Sequence, residues 1–139
     1  MTTIRQEDLI ESIAAALQYI SYYHPADYIA HLARAYEREQ SAAAKDAIAQ
    51  ILTNSRMCAE GKRPICQDTG IVNVFLKIGM DVKWEGFTGS IQDAIDEGVR
   101  QAYNNPDNKL RASVLSDPIF ERKNTKDNTP AVVFMDVVP

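Results

Sequence analysis

Cysteine, histidine and tryptophan are scarce in this chain, which limits the kinds of site it can build. Its 139 residues contain two cysteines, two histidines and one tryptophan. A single disulfide between Cys58 and Cys66 would not persist in a reducing compartment. The paired ligand spacings of zinc fingers and zinc ribbons are absent from the sequence. The composition therefore excludes a disulfide framework, gives little support to a zinc site, and predicts reduced thiols or a single ligand-bound thiolate.

The chain also lacks an excess of basic residues and any long apolar segment. Its formal net charge is -4, whereas a protein that binds nucleic-acid phosphates needs clustered Lys and Arg. The small basic group of Arg122, Lys123 and Lys126 is diluted by Asn124 and Asp127, as in a solvated or anion-facing loop. No segment has the length of a membrane-spanning helix, and the first residues lack a signal-peptide pattern. We therefore expect a cytoplasmic protein that binds neither nucleic acid nor membranes.

The first half of the chain has the apolar spacing of amphipathic helices. Residues 6–23 carry apolar side chains at three- and four-residue steps, and Pro25 interrupts this pattern. Pro25 suits the first turn of a second helix, because it has no amide proton to leave unbonded there. Ser41 can cap a third helix that ends near Gly61. The sequence thus predicts three helices within residues 1–62.

The second half, residues 63–139, changes to the patterns of β-strands. Apolar and polar residues alternate over 72–78, and Phe75 on the alternate side indicates that both faces of this strand are covered. A second short strand is predicted at 82–84. The tail, residues 131–138, is too continuously apolar for an exposed strand, so we expect it inside a sheet.

A fourth helix completes the predicted fold. Ser90 and Asp93 have the spacing of a capping box and precede a helical pattern. The fold class is therefore α+β, with N-terminal helices followed by a mixed sheet and at least one further helix. We interpret the chain as a single N-terminal domain with a helical portion, 1–62, and a mixed portion, 63–139. An apolar strand that ends at Pro139 predicts a polypeptide that continues, so that the chain is a fragment of a larger domain.

The stretch Cys66-Gln-Asp-Thr-Gly70 lies where the helical half gives way to the first strand. Such junction loops commonly carry binding groups on a rigid scaffold. Its Asp and Thr also hydrogen-bond readily to nearby backbone, and its Gly permits a positive φ angle, so the spacing alone favours a simple turn. Nothing in the sequence pairs His24 or His31 with Cys66 as a catalytic base, and we interpret both as surface or core residues. The residues alone leave site and turn both open.

Two further segments supply polar groups. The segment Leu110-Arg-Ala-Ser-Val114 contains Arg111, whose guanidinium can hold a carboxylate through two parallel hydrogen bonds. The loop Asn124-Thr-Lys-Asp-Asn-Thr-Pro130 has enough donors to bind an anion but no phosphate-loop pattern. Cys58, within the third helix, has the character of a small buried hydrophobe. Each feature, taken separately, has an ordinary structural explanation.

Taken together and in this order, these features resemble the N-terminal region of the iron–sulfur class of fumarate hydratases, a family shared with L-tartrate dehydratase. The resemblance covers essentially the whole chain. It implies a hydro-lyase that interconverts fumarate and L-malate by reversible hydration. It also implies a [4Fe–4S] cluster held by three cysteines, with one iron left open as a Lewis acid. The matching features are the helical start, Pro64-Ile-Cys-Gln-Asp-Thr-Gly70 followed by a strand, Asn108-Lys-Leu-Arg-Ala-Ser113, and Asn124-Thr-Lys-Asp-Asn-Thr-Pro-Ala131.

The resemblance implies roles for individual residues. Cys66 corresponds to the first of the three cluster ligands, and Asp68 to a catalytic residue that orients the substrate or a neighbouring catalytic group. Arg111 would clamp a substrate carboxylate and Gln67 would donate a hydrogen bond to the substrate. Cys58 falls on no ligand position. Because one thiolate cannot hold a [4Fe–4S] cluster in the usual way, we expect the isolated chain to bind no stable cluster and to be inactive.

The resemblance also implies partners. The substrate would be a small dicarboxylic acid, and the remaining portion of the enzyme would follow as a C-terminal region or as a separate beta subunit. The intact enzyme would be a homodimer. The main alternative is a noncatalytic helical interaction module, in which residues 1–60 pack against a partner and Cys66–Gly70 is a structural turn. A zinc-binding module is the third hypothesis.

Overall fold

The fold is known from a computed structural model that describes residues 2–67 and 70–139. The α+β class predicted from the sequence is confirmed. Helices dominate the first half of the chain, and short strands with one further helix make up the second. In chain order the elements are β1 (Thr3–Arg5), α1 (Gln6–Tyr22), α2 (Ala26–Arg38), α3 (Ala42–Gly61), β2 (Asn73–Gly79), β3 (Lys83–Glu85), α4 (Ile91–Tyr103) and β4 (Val132–Val138).

The helix boundaries follow from local chemistry that the sequence displays. Ser41 caps α3, its hydroxyl accepting the backbone N–H of Ala44. Pro25 is the residue just before α2 and does not lie in its first turn as predicted. Helix α3 ends at Gly61 as predicted, but the left-handed residue that follows is Lys62, at φ 47°. The local signals therefore locate the helix ends to within about one residue.

Helix α4 begins with the predicted capping box. The Ser90 hydroxyl accepts the Asp93 N–H at 3.1 Å, and an Asp93 carboxylate oxygen accepts the Ser90 N–H at 2.8 Å. The backbone N–H groups of Ser90 and Asp93, which have no backbone partner within the helix, are therefore both hydrogen-bonded. The capping box fixes the start of the helix on which most of the core is built.

The described strands form two small sheets, each a parallel pair, in place of one mixed sheet. Strand β2 pairs with β4, with Val74 opposite Val133 and Phe75 opposite Phe134. Strand β1 pairs with β3, with Ile4 opposite Trp84. The pairing of β1, only three residues long, was not predicted, because its partner lies about eighty residues further along the chain.

The chain divides into two compact units, which we describe separately. One comprises the chain up to Leu17 and again from Gln67 onward, and the other is Gln18–Cys66. In the second unit α2 packs against α3. The first unit contains the main hydrophobic core, in which α4 and part of α1 pack on one face of the β2–β4 sheet. The buried core residues are Val72, Ile95, Val99, Ala102, Tyr103, Leu110 and Ala131.

The other face of the β2–β4 sheet is exposed among the described residues. Phe75 and Phe134 stack on each other there, with ring centroids 4.9 Å apart, yet they are 78% and 52% exposed. The predicted cover over Phe75 and the predicted burial of β4 are therefore wrong for this chain. The physical reason is that α1 and α4 supply apolar contacts to Val74, Leu76 and Val133, which point to the opposite face. Within the described ranges, no helix is long and apolar enough to cross a membrane.

Candidate active site

The backbone that precedes Cys66 is anchored within the helical unit. The Asn54 side-chain amide donates to the Ile65 carbonyl oxygen at 2.9 Å. The Ile65 N–H in turn donates to the Ser21 carbonyl oxygen at 2.8 Å. Helices α3 and α1 thus fix both polar groups of the residue next to Cys66. The exposed Cys66 directly follows this anchored residue.

The two cysteines occupy different environments. Cys58 is buried on α3, where its thiol contacts the Asn54 side-chain oxygen at 3.6 Å and the Pro64 carbonyl oxygen at 3.5 Å. Cys66 is exposed. Both carry thiols, since no disulfide links them. Cys58 therefore has a structural role in holding the loop after α3, while Cys66 lies at the surface.

Hydrogen bonds join the end of the cysteine motif to the Arg111 segment. The Gly70 carbonyl oxygen accepts from Ser113 Oγ at 3.2 Å and from Asn128 Nδ2 at 3.0 Å. Asn128 Oδ1 accepts the backbone N–H of Ser113 at 2.7 Å and that of Val114 at 3.1 Å. Ser113 and Asn128, which lie 43 and 58 residues after Gly70 in the sequence, therefore both hydrogen-bond to the Gly70 carbonyl oxygen. These are three of the four segments on which the family resemblance rests.

Arg111 lies outside the helices and strands, between two neighbours that contact the core. Leu110 is buried in the core and Ala112 packs against it, whereas Arg111 between them is exposed. The Asn124 side-chain amide donates to the Ala112 carbonyl oxygen at 2.8 Å, which fixes the segment from the loop side.

The structure describes three of the four predicted site residues, Cys66, Gln67 and Arg111. Gln67 is exposed and belongs to the same compact unit as Arg111. It lies three residues before Gly70, so the chain limits its Cα to about 10 Å from that of Gly70. Asp68 lies outside the described residues, and its catalytic role stays a prediction. Cys66 is the last residue of the helical unit, Gln18–Cys66.

The histidines have partners inside the helical unit. His24 Nδ1 lies 3.0 Å from Ser55 Oγ, and its ring stacks on Tyr28. His31 lies beside Arg34 on the exposed surface of α2. These contacts give both residues a structural explanation. Across residues 2–67 and 70–139, no three His, Cys, Asp or Glu side chains form a group that could hold a metal ion.

The polar loop near residue 128 has a backbone conformation that the sequence analysis missed. Arg122, Lys126 and Asn128 all adopt positive φ angles, at 51°, 74° and 62°. Such angles cost little for Asn but are uncommon for Arg and Lys. Asn128 is also fully buried, at 0% exposure. The sequence feature that could have pointed to Asn128 is an asparagine before Thr-Pro in a loop without glycine. This feature predicts neither that the side chain is buried nor which groups it hydrogen-bonds.

Helix α4 anchors this loop through polar contacts. Arg100 Nε donates to an Asp127 carboxylate oxygen at 3.0 Å. The Ala131 N–H donates to Asp96 Oδ1 at 2.8 Å, and Gln92 Nε2 donates to the Ala131 carbonyl oxygen at 3.1 Å. The helix that forms the core therefore also positions the loop that contacts Gly70 and the Arg111 segment.

Asp127 links stability to pH. Burial raises the pKa of its carboxyl, but hydrogen bonds from Thr129 and Arg100 outweigh burial and hold the pKa below its usual value. A carboxyl whose pKa is lower in the folded state stabilises that state only while it is ionised. The stabilisation of the folded state by Asp127 is complete at pH values above the unfolded-state pKa of about 4. It is lost as the pH falls through the lower folded-state pKa.

Asp127→Asn is therefore expected to reduce the free energy of unfolding at pH 7 by about 1–2 kcal/mol, the usual effect of losing a hydrogen bond to a charged group. The difference from wild type should shrink as the pH falls below about 4. Urea unfolding at a series of pH values measures this difference. Asp81→Asn, in the exposed turn between β2 and β3, controls for the loss of one negative charge. If Asp127→Asn stayed less stable than wild type by the same amount at every pH tested, the stabilising role of the ionised Asp127 carboxylate would be contradicted.

Comparison with known proteins decides which family the chain comes from. The sequence model of the family described as fumarate hydratase (Fumerase) matches residues 10–139. The chain belongs to this fumarate hydratase family. The family that the motifs resemble is thereby confirmed, and the match includes the Cys66–Gly70 motif, the Arg111 segment and the polar loop.

Individual members of the fumarate hydratase family show the same relationship. A Methanocaldococcus jannaschii protein, provisionally named L(+)-tartrate dehydratase subunit alpha, is 35% identical over 106 residues, covering 76% of this chain. The L(+)-tartrate dehydratase subunit alpha of Escherichia coli strain K12 is 27% identical over 131 residues, covering 94% of this chain. The aligned regions make up 35% and 42% of these relatives, so the chain spans about two fifths of their length.

Proposed function

We propose that this chain contributes residues to the active site of a [4Fe–4S] hydro-lyase. The enzyme reversibly hydrates a small unsaturated dicarboxylic acid, with fumarate and L-malate as the substrate pair. The supporting observation is the pair of hydrogen bonds at the Gly70 carbonyl oxygen, which joins the cysteine motif to the Arg111 segment in a member of the fumarate hydratase family. Arg111, two residues before Ser113, is exposed.

Substrate binding is assigned to Arg111 and Gln67. A planar guanidinium matches a carboxylate with two parallel hydrogen bonds, and Arg111 is exposed on an anchored segment. The Gln67 amide donates a further hydrogen bond to the substrate. A dicarboxylic acid has two charged ends, so a site that binds both must keep its anchors at a fixed separation.

The remaining roles belong to Asp68 and Cys66. Asp68 orients the substrate or a neighbouring catalytic group for proton transfer. The exposed Cys66 thiol, on its anchored backbone, fits one ligand of an iron–sulfur cluster, whereas the buried Cys58 does not. When bound, the cluster supplies an iron that acts as a Lewis acid on the substrate hydroxyl. Further thiolates must come from elsewhere in the enzyme, because such clusters take ligands from several positions.

L-tartrate is the second candidate substrate. The relatives from M. jannaschii and E. coli are both named as tartrate dehydratase alpha subunits. Malate and tartrate share the two carboxylates that Arg111 and its partners would bind, and they differ in one hydroxyl.

The proposed enzyme needs a partner for this chain. It is the remaining portion of the enzyme, either a C-terminal region of the same polypeptide or a beta subunit, as the alpha designation of the relatives favours. The intact enzyme is proposed to be a homodimer. The noncatalytic alternative, a helical interaction module, predicts no dicarboxylate turnover in any assembly.

The direct test compares the complete enzyme with the isolated chain under anaerobic conditions. After reconstitution with iron and sulfide, the complete enzyme should dehydrate L-malate or L-tartrate. The isolated chain should bind no stable cluster and turn over neither acid. Inactivity of the complete enzyme toward both acids would contradict the proposed function, and turnover by the isolated chain would contradict the assignment of missing ligands.

Arg111→Lys tests the carboxylate clamp. Lysine keeps the charge but cannot form two parallel hydrogen bonds, so the kcat/KM of the complete enzyme should fall about 10- to 100-fold. This range corresponds to losing one hydrogen bond between charged groups. Steady-state kinetics with L-malate and L-tartrate measures the loss.

The matched control is Arg56→Lys, the same exchange at an exposed position on α3. It should leave kcat/KM within about twofold of wild type, because exposed ion pairs contribute little. An Arg111→Lys enzyme that is as active as this control would remove Arg111 from the substrate site.

A further inference from the structure

One face of the β2–β4 sheet, which we call the outer face, points away from α1 and α4. It is formed by Phe75 and Lys77 of β2 and by Val132, Phe134 and Asp136 of β4. In the register Phe75 lies opposite Phe134, and Lys77 lies opposite Asp136. Phe75 is 78% exposed, Phe134 52% and Val132 40%. Two phenylalanines and a valine therefore contact solvent on a sheet whose other face belongs to the core.

Exposure of this kind is unusual for parallel strands. Sheets made only of parallel strands occur almost always with both faces covered, and their strands are apolar nearly throughout. Strand β4 has this composition, since six of its seven residues are apolar. Within the described ranges, α1 and α4 pack on the opposite face, against Val74, Leu76 and Val133. The composition of β4 thus matches a strand that is covered on both faces, whereas the described residues cover one.

The outer face is already shaped to receive a covering layer. A groove of about 800 Å³ is lined by residues 75–77 and 133–136 of the two strands. The rings of Phe75 and Phe134 are nearly parallel, at 7°, and stack with centroids 4.9 Å apart. Because each ring restrains the other, little side-chain entropy is lost when a further layer packs on them. An exposed apolar surface bordered by charged residues, here Lys77 and Asp136, is typical of an interaction site.

The length of the relatives indicates which polypeptide covers this face. Parallel strands are joined by crossover connections, usually helices, so the layers on a parallel sheet normally come from its own chain. The crossover from β2 to β4 contains α4, which packs on the core face. In the M. jannaschii and E. coli relatives, both named as alpha subunits, more than half of the chain lies outside the aligned region. Alpha polypeptides of this length have enough further chain to cover the outer face.

We propose that the outer face is the docking surface for the part of the alpha polypeptide that lies outside the matched region, and that an apolar helix face of this part packs on Phe75 and Phe134. This inference rests on the proposed function, because it takes the remaining portion of the enzyme as given. It adds that this portion belongs to the alpha polypeptide itself, and it names the surface that the portion contacts.

Oxidative footprinting with hydroxyl radicals tests the proposal without any substitution. The labelling rates of Phe75 and Phe134 are compared between this chain alone and the full-length alpha polypeptide without a beta subunit. Both rates should fall at least about tenfold in the full-length polypeptide, because side chains under a close-packed layer lose their contact with solvent. Phe120, which is 84% exposed on a loop of the same compact unit, is the matched reference. Its rate should stay unchanged, and an equal fall at Phe120 would contradict a contact specific to the outer face.

Phe75→Glu tests the same contact through stability. In the full-length alpha polypeptide the melting temperature should fall by about 5–10 °C, because the carboxylate would be buried in an apolar contact without a partner. In this chain alone, where Phe75 is exposed, the fall should be at most about 3 °C, from losing the stack with Phe134. Phe120→Glu makes the same exchange on the exposed loop and should leave both melting temperatures unchanged. Equal shifts from Phe75→Glu in the two proteins would contradict the docking surface.

The footprint also identifies other occupants. Protection that appears only after a beta subunit is added, or that this chain alone acquires as its concentration rises, would name a beta subunit or a second copy as the cover and contradict the proposal. Labelling does not depend on turnover. An inactive complete enzyme with a protected outer face therefore contradicts the proposed function alone, and an active enzyme with an unprotected outer face contradicts this inference alone.

Discussion

Cys66→Ser is expected to lower the kcat of the complete enzyme by more than about a hundredfold and to reduce its iron and acid-labile sulfide content. The physical reason is that a serine hydroxyl is a poor substitute for a thiolate in binding iron. Even residues that only orient a metal ligand contribute about 10- to 100-fold to affinity or activity. Anaerobic metal analysis and initial rates on the same preparation measure both effects.

Cys58→Ser is the matched control, the same exchange eight residues earlier in the chain. Its side chain lies between the Asn54 oxygen and the Pro64 carbonyl oxygen, where a serine hydroxyl can donate in place of the thiol. Activity and cluster content should stay near wild type, with a stability change of at most about 1 kcal/mol. Equal losses from the two variants would overturn the distinction between ligand and structural cysteine.

Local signals predicted the elements of the fold well. The apolar spacing of residues 6–23, the Ser41 cap and the Ser90–Asp93 capping box each concern interactions within one or two turns of helix. Such interactions depend on neighbours in the sequence, so they can be read from it directly. The alternation over 72–78 likewise matches the observed strand, Asn73–Gly79.

Interactions between distant segments were harder to predict from the sequence. The pairing of Thr3–Arg5 with Lys83–Glu85 leaves no mark in either segment, because three residues carry too little pattern. The burial of Phe75 and β4 was inferred from apolar character alone. The apolar character of a side chain indicates that its burial would be favourable. Which element buries it depends on other parts of the structure.

The candidate site shows the same division. The types of residue needed to bind a carboxylate could be recognised in Gln67 and Arg111, whose roles stay predictions. The hydrogen bonds of Asn128 could not be recognised, because its neighbours Gly70 and Ser113 are 58 and 15 residues away. A buried asparagine and an exposed loop asparagine look the same in a sequence. Only the folded chain shows which amide is enclosed.

Gly98→Ala is expected to destabilise the protein by about 2 kcal/mol, although alanine favours helices over glycine by about 1 kcal/mol. Gly98 is buried on α4 where α1 crosses it. A Cβ atom at Gly98 would lie 2.7 Å from the Ile13 Cβ and 2.8 Å from the Ile10 carbonyl oxygen. Urea unfolding should show the loss directly, and the melting temperature should fall by roughly 6–8 °C.

The matched control is Gly61→Ala, at the end of α3, where the nearest side-chain atoms would be 3.7 Å from the new Cβ. That distance is ordinary van der Waals contact, so this variant should be neutral or slightly stabilising. Trimming Ile13 to valine should not rescue Gly98→Ala, because valine keeps the Cβ of the clash and the Ile10 carbonyl belongs to the backbone. Full stability of Gly98→Ala would show that α1 and α4 can separate at this point without cost. The close crossing would then contribute nothing to the stability of the core against which the Arg111 segment is anchored.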